Sequence, residues 1–342
     1  VRIQLASPTG RAAQRLSDSA GHPAATIHRL LKFDASKGQF FHGPNQPLPC
    51  AVLIVDEASM LDTRLSASLI RALPPSASLI FVGDADQLPS VGSGNVLHDL
   101  VQSGRIPVTR LNQIFRQDSE SSIVAVAHQV LHGQYQLPYT ANLSREIQTE
   151  ADFHFILGEI PEAALHKTLA LATEYLPQTF SVDPIRDIQV LSPMHRGLVG
   201  IQNLNTQLQQ QLNPPERARQ RPNQSVQQTH FRERSGKKLP WETPYGETTY
   251  RIGDKVIQTR NNYDKNLFNG DMGVIEGVAA DGKTLRILFN GKSHEFERSD
   301  LGELQLAYAI SVHKSQGSEY PIVLFPLLKQ HFLLLQRNLL YT

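Results

Sequence analysis

AVLIVDEASMLD, residues 51–62, decides the fold class. Residues 51–55 are wholly apolar, and the run stops at two carboxylates, Asp56 and Glu57. A short apolar run with polar bounds is the pattern of a strand buried on both faces of a parallel sheet. Open α/β sheets collect ligands at the carboxyl ends of their strands, so both carboxylates stand where a ligand would sit. One carboxylate can hold a Mg²⁺ ion, directly or through water. Its neighbour can polarise a water molecule for attack on a phosphate. The same string also fits an acidic helix start favoured by the helix dipole.

Residues 78–100, SLIFVGDADQLPSVGSGNVLHDL, bear on that choice. Residues 79–82 read as a second buried strand, ended by Gly83 and Asp84, with Gln87 on a loop closed by Pro89. The intervening residues 64–72 suit one crossover helix, which makes a βαβ unit. A neutral amide such as Gln87 can bond both a hydrolytic water and a terminal phosphate.

VDEASM and GDADQLPSVG resemble motifs II and III of superfamily 1 helicases, and their wording is similar to the RecD-like branch. The resemblance implies an α/β fold: two RecA-like P-loop NTPase domains with parallel sheets, and a small SH3-like β module inserted in the second. It implies ATP and Mg²⁺ as cofactors, with Asp56 on the metal. Glu57 and Gln87 become catalytic, and Asp84 joins the nucleotide-binding set.

Composition bounds the rest. At 342 residues the chain can bury more than one core. A net charge of +1 means that any nucleic-acid site is a local groove and not a global field. A single cysteine, Cys50, excludes an internal disulfide and a cysteine zinc cage, and it suits a reducing cytoplasm. The apolar runs are strand-length, so no membrane partner is expected. The first residues, from Val1, read as mid-domain, so the expectation is a fragment.

Toward the N-terminus, residues 1–6 read as a strand that turns at Pro8, Thr9, Gly10 and Arg11 into a helix. Backbone amides, Thr9 and Arg11 then stand at a strand end, able to hold a phosphodiester. This resembles motif Ia, a contact to single-stranded DNA. ATIHRLL, residues 25–31, is similar to the following region, with His28 as a phosphate contact or a packing residue. Residues 32–48 alternate aromatic and polar residues around a Gly turn and read as a hairpin. In the RecD-like family a hairpin here, domain 1B, separates strands; Phe40 and Phe41 would form that pin. Arg116, in the stretch VTRLNQIFRQ, matches an arginine that reaches the γ-phosphate across the domain cleft.

The second half repeats the design. A strand ends in SPMHRG, and a helix with Leu204, Leu208 and Leu212 follows. Ser192, His195 and Arg196 resemble a second grip on the DNA backbone. Residues 214–240 read as a mobile linker. Residues 239–301 carry Gly-Asp and Asp-Gly turns between short alternating strands, the pattern of a small barrel. There Tyr263 and Phe268 have two readings, base stacking or barrel core. QLAYAISVHKSQGSE, residues 305–319, resembles motif V. Ser311, His313 and Lys314 would face DNA, and Gly317 and Glu319 the nucleotide.

The resulting domain scheme is 1–120 as the first α/β domain, with the pin at about 32–48. Residues 121–238 and 302–342 form the second, and 239–301 the inserted module. No GxxxxGK[ST] stretch occurs, and the chain stops at RNLLYT, where the family continues into motif VI. The chain alone is therefore expected to lack ATPase activity. The leading expectation is the core of an ATP-dependent helicase moving 5′ to 3′ in DNA recombination and repair. Its partners would be single-stranded DNA and single-strand/duplex junctions, with nuclease or helicase subunits as further candidates. Alternatives are the helicase half of a conjugative relaxase and a non-catalytic DNA-binding relic in a larger assembly.

Overall fold

The computed structural model describes residues 2–34, 36–111, 121–134, 139–140, 152–158, 160–215, 241–262, 264–332 and 334–342. Arg116, Tyr263, residues 216–240 of the expected linker and the residues before 121 at the expected domain boundary lie outside them.

The first sheet has four parallel strands, in the order Ala24–Thr26, Ile3–Ser7, Val52–Val55, Ser78–Phe81. Helix Thr63–Arg71 makes the crossover between the last two. Asp62 caps it, its carboxylate accepting from the Leu65 N–H at 2.6 Å. Leu53 and Val55 are fully buried against Ile27, Leu31, Leu61 and Leu69. Each such side chain contributes about 1.5–3 kcal/mol.

The sequence reading of two doubly buried strands is corrected here. Val52 and Ile54, on the other face, are only partly covered. In Ser78–Phe81 one face is exposed, with Ile80 at 46 %. The physical reason is position: Ser78–Phe81 is the edge strand of the described sheet.

A second parallel sheet orders Ala309–Ser311, Ile188–Ser192 and Ile322–Leu324. Helix Ile201–Leu212 packs on it through Leu204 and Leu208, as the four-residue spacing requires. A further helical stretch covers residues 161–180. It is α-helical over Pro161–Ala170, passes through a π-turn at Leu171–Tyr175 and resumes over Leu176–Phe180.

Between these strands the chain builds an antiparallel five-stranded sheet. Its order is Lys292–Phe296, Leu285–Phe289, Met272–Val278, Lys255–Gln258, Leu304–Leu306. Phe289, Phe296, Val256, Ile275 and Ile287 fill its core. The last strand lies past the expected boundary at Leu301, so the module continues to Leu306.

Buried Asp254 fastens the module to the second sheet. It accepts from Gln209 Nε2 and Asn213 Nδ2, both at 2.6 Å, and from the Tyr308 hydroxyl at 2.9 Å. Burial pushes its carboxyl pKa up, and these donors oppose that shift. Among the described residues no helix is long and apolar enough to cross a membrane.

Candidate functional site

The strand Val52–Val55 delivers Asp56 and Glu57 into a forced turn. Asp56 Oδ1 accepts from the Glu57 N–H at 2.9 Å, and Glu57 takes a left-handed backbone at φ 53°. A non-glycine residue held there costs on the order of 1–3 kcal/mol, and such strain concentrates at functional sites. The neighbouring edge strand holds the turn: the Ala58 N–H donates to the Val82 carbonyl at 2.9 Å. Gly83 permits this close approach, because a Cβ there would sit 2.9 Å from the Ala58 nitrogen.

One of the expected nucleotide residues, Gly317, comes up to Glu57 across the two sheets. Gly317, at φ 69°, turns its backbone toward the first sheet. A Cβ on it would lie 3.9 Å from Glu57 Oε1 and 3.9 Å from the Ala12 Cβ. Arg11 Nη1 donates to the Ser318 hydroxyl at 2.8 Å, and Arg15 pairs with Glu319 at 3.6 Å. The turn after Lys314 therefore docks on the helix Gly10–Ala20 and faces the carboxylate corner. Gln316 Nε2 extends the contact by donating to the Leu88 carbonyl beside Gln87.

Asp84 and Gln87 occupy the loop after Ser78–Phe81. The Tyr341 hydroxyl donates to Asp84 Oδ2 at 2.7 Å, and Thr342 Oγ1 accepts from the Leu88 N–H at 2.8 Å. Burial and the Asp84 carboxylate raise the Tyr341 pKa, so it stays a protonated donor.

The two loops expected to grip a nucleic-acid backbone differ. In the first, Thr9 caps the helix by accepting from the Ala12 N–H at 3.2 Å. Gly10 is buried, and a Cβ on it would overlap the Phe268 ring. Gly10 is thus covered by Phe268, which is partly exposed, lies outside the module's buried core cluster and packs on this loop instead. Pro8 stays partly exposed, and Arg11 is engaged with Ser318.

In the second loop His195 and Arg196 are exposed. Ser192 is fully buried, its hydroxyl donating to the Val199 carbonyl at 2.7 Å. It shapes the loop from within, which corrects its assignment as a backbone contact.

Of the third set, His313 is exposed, although partial desolvation of its ring by its surroundings lowers its pKa. Ser311 caps the short helix Val312–Ser315, accepting from the Lys314 N–H. The Lys314 ammonium donates to Gln305 Oε1 at 3.0 Å, and burial lowers its pKa too.

The hairpin forms as read, with Phe33 opposite Phe40 and Asp34 opposite Gln39. Phe41 is 55 % exposed, with the Lys32 ammonium 5.1 Å from its ring centre. His28 takes the packing reading: its ring stands 5.6 Å from both Phe33 and Phe40 and supports the hairpin. Burial lowers its pKa, which keeps it neutral near pH 7.

No group of three or more His, Cys, Asp or Glu is poised to hold a metal among the described residues. Asp56 engages one carboxylate oxygen with the Glu57 N–H. Such a lone carboxylate fits Mg²⁺, which keeps waters and substrate phosphates as its other ligands. Sequence reasoning missed Ser318, Gln316 and Tyr341. Ser318 and Gln316 stand inside the quoted HKSQGSE, and their hydrogen-bonding side chains beside Gly317 were the available signal.

Three family models match consecutive parts of the chain. An AAA domain covers residues 1–150, an ATP-dependent RecD-like DNA helicase SH3 domain covers 223–289, and a UvrD-like helicase C-terminal domain covers 306–342. The chain is 35 % identical to the ATP-dependent RecD2 DNA helicase of Deinococcus radiodurans, over all of this chain and 41 % of that protein. It is 30 % identical to the RecBCD enzyme subunit RecD of Mycolicibacterium smegmatis, over 59 % of that protein. It thus spans about half the length of these relatives. A solved Bacteroides Pif1 helicase, in complex with ADP-AlF3 and ssDNA, shares the fold at TM-score 0.50 and 16 % identity, over 95 % of this chain and 76 % of that one.

Proposed function

The chain belongs to the RecD-like superfamily 1 helicases, and from that premise we propose that it forms the motor core of an ATP-dependent helicase moving 5′ to 3′ on single-stranded DNA. Unwinding would serve recombination or repair, in the cytoplasm, and the RecD subunit relative supports nuclease or helicase partners. The domain scheme is 1–120 and a split second domain, with the module now running to Leu306.

The observation that carries this reading is the meeting of Gly317 with Glu57, beside the Arg11–Ser318 bond. This contact supports a reading in which residues after the second sheet and the carboxylates of the first act at one seam, so that nucleotide state and DNA grip would be linked. Glu57 accepts the proton of the attacking water, and Gln87 orients that water. Arg116 is proposed to reach the γ-phosphate. Asp56 would hold Mg²⁺, which would neutralise charge on the phosphates. His195, Arg196, His313 and Pro8-Thr9 would line the DNA path.

The test is hydrolysis by the full-length protein. ATP turnover should require Mg²⁺ and rise with single-stranded DNA. The 342 residues alone should hydrolyse essentially no ATP, because no GxxxxGK[ST] loop within them cradles the phosphates. Comparable turnover by both proteins would overturn this placement of the active site.

A further inference from the structure

Behind the hairpin lies a cleft of about 610 Å³ to which no ligand has been assigned above. One wall is aromatic. Phe33, Phe40 and His28 form a mutual cluster, with ring centres 5.1 Å apart for the two phenylalanines. Phe33 remains 43 % exposed. The opposite wall is helix Thr63–Arg71, which contributes Arg64 and Arg71. The two arginines are seven positions apart, so they share a helix face about 10 Å apart along the axis. Both are exposed, and among the described residues neither guanidinium makes a hydrogen bond or ion pair.

Two free guanidiniums opposite an aromatic wall suit a ligand with both a π-face and phosphates. Among the described residues Asp62 is the one carboxylate lining the cleft. Its Oδ1 is engaged by the Leu65 N–H at the helix start, so the arginines, not Asp62, dominate the opening. Neutral His28 adds an aromatic surface and no charge.

We propose that this cleft takes one unpaired nucleotide of the DNA strand displaced at the hairpin, its base against Phe33 and its phosphates against Arg64 and Arg71. The proposal rests on the helicase reading and extends it. A motor that tracks one strand also gains a hold on the other, just where the duplex opens.

The experiment uses the full-length protein and two DNAs sharing one loading strand, one forked and one with no displaced tail. A 2-aminopurine marks the first unpaired base of the displaced tail. The wild type should prefer the fork about tenfold and change the marker's fluorescence. The double variant R64A/R71A should lose that preference and that signal, while its DNA-stimulated hydrolysis and affinity for plain single strand stay unchanged. Its salt slope on the fork should fall by about 0.7 for each lost phosphate contact.

A double variant that keeps the preference and the signal overturns the cleft and leaves the motor reading intact. So does a wild type that binds both DNAs alike, or one that takes free 2-aminopurine nucleotide as tightly as the fork. A wild type that binds no single-stranded DNA removes the helicase reading, and the cleft with it.

Discussion

The two strand-end loops of the proposed DNA path are sequence counterparts in opposite states. At residues 8–11 the loop is closed: Phe268 covers Gly10, and Arg11 is committed to Ser318. At 195–196 the loop is open, with His195 and Arg196 turned to solvent. Both follow a parallel strand and precede a helix, so local structure does not set the difference. What differs is the neighbour. The first loop has the module's 267–271 turn and the 316–319 turn against it, while the second keeps its own buried clamp, Ser192, beneath an uncovered rim. On the proposed reading, a strand-end loop offers DNA only those donors that no other part of the chain has taken.

The largest expected effect separates chemistry from grip. Glu57→Gln should lower ATP turnover by about 10²–10⁴ and leave DNA affinity at the open loop unchanged. Near-normal steady-state turnover would remove Glu57 from the catalytic role.

Next is the seam behind the closed loop. The Lys255 ammonium is buried there, 3.3 Å from the Ile188 carbonyl. Its pKa is pushed down to about 8, chiefly by burial; Asp183 and Asp187 pull it up and Arg11 pushes it down. The unfolded chain therefore binds more protons between about pH 8 and 10.5, and stability rises with pH across that window. Below pH 8 the penalty is fully present, roughly 3 kcal/mol. Lys255→Met should gain stability at pH 7 in denaturant titrations and flatten the rise toward pH 10.5. An unchanged rise in the variant would assign it to other groups.

Closing contacts come third. Gly10→Ala should destabilise by about 1–3 kcal/mol, since the methyl meets the Phe268 ring. Adding Phe268→Ala should recover most of that loss, and a strictly additive double variant would deny the contact.

The smallest effect bears most directly on the contrast. Arg196→Ala should lower the salt slope of single-strand binding by about 0.7 and weaken all sequences alike. Arg11→Ala should change the slope by much less, because Ser318 holds its guanidinium. Equal changes would mean that the closed loop opens on DNA.

Much of the fold was legible because it rests on local pattern. The apolar run ending in Asp56-Glu57 read as a sheet strand once residues 78–100 stood beside it, and the Gly-Asp turns spelled out the small antiparallel module. The leucines at 204, 208 and 212 placed their helix correctly. Legibility failed where a contact joins distant residues. Phe268 looked like a base-stacking or core residue because nothing near it in the chain announces Gly10. Ser192 looked like a ligand because a serine after a strand reads the same whether its hydroxyl points out or folds back onto Val199. Arg11 was found, but its partner was not: Ser318 lies at the other end of the sequence. The π-turn at Leu171–Tyr175 has no signature in composition at all.

The joint between module and second sheet has a mechanical consequence. Only Ala307 and Tyr308 separate the barrel strand Leu304–Leu306 from the sheet strand Ala309–Ser311, and both are fully buried. Tyr308 is pinned to Asp254, which also holds the helix behind it. So short and buried a link leaves little room for the module strand to shift without the sheet strand. The same stiffness forbids editing: one extra residue there would turn every following side chain of the strand to the wrong face.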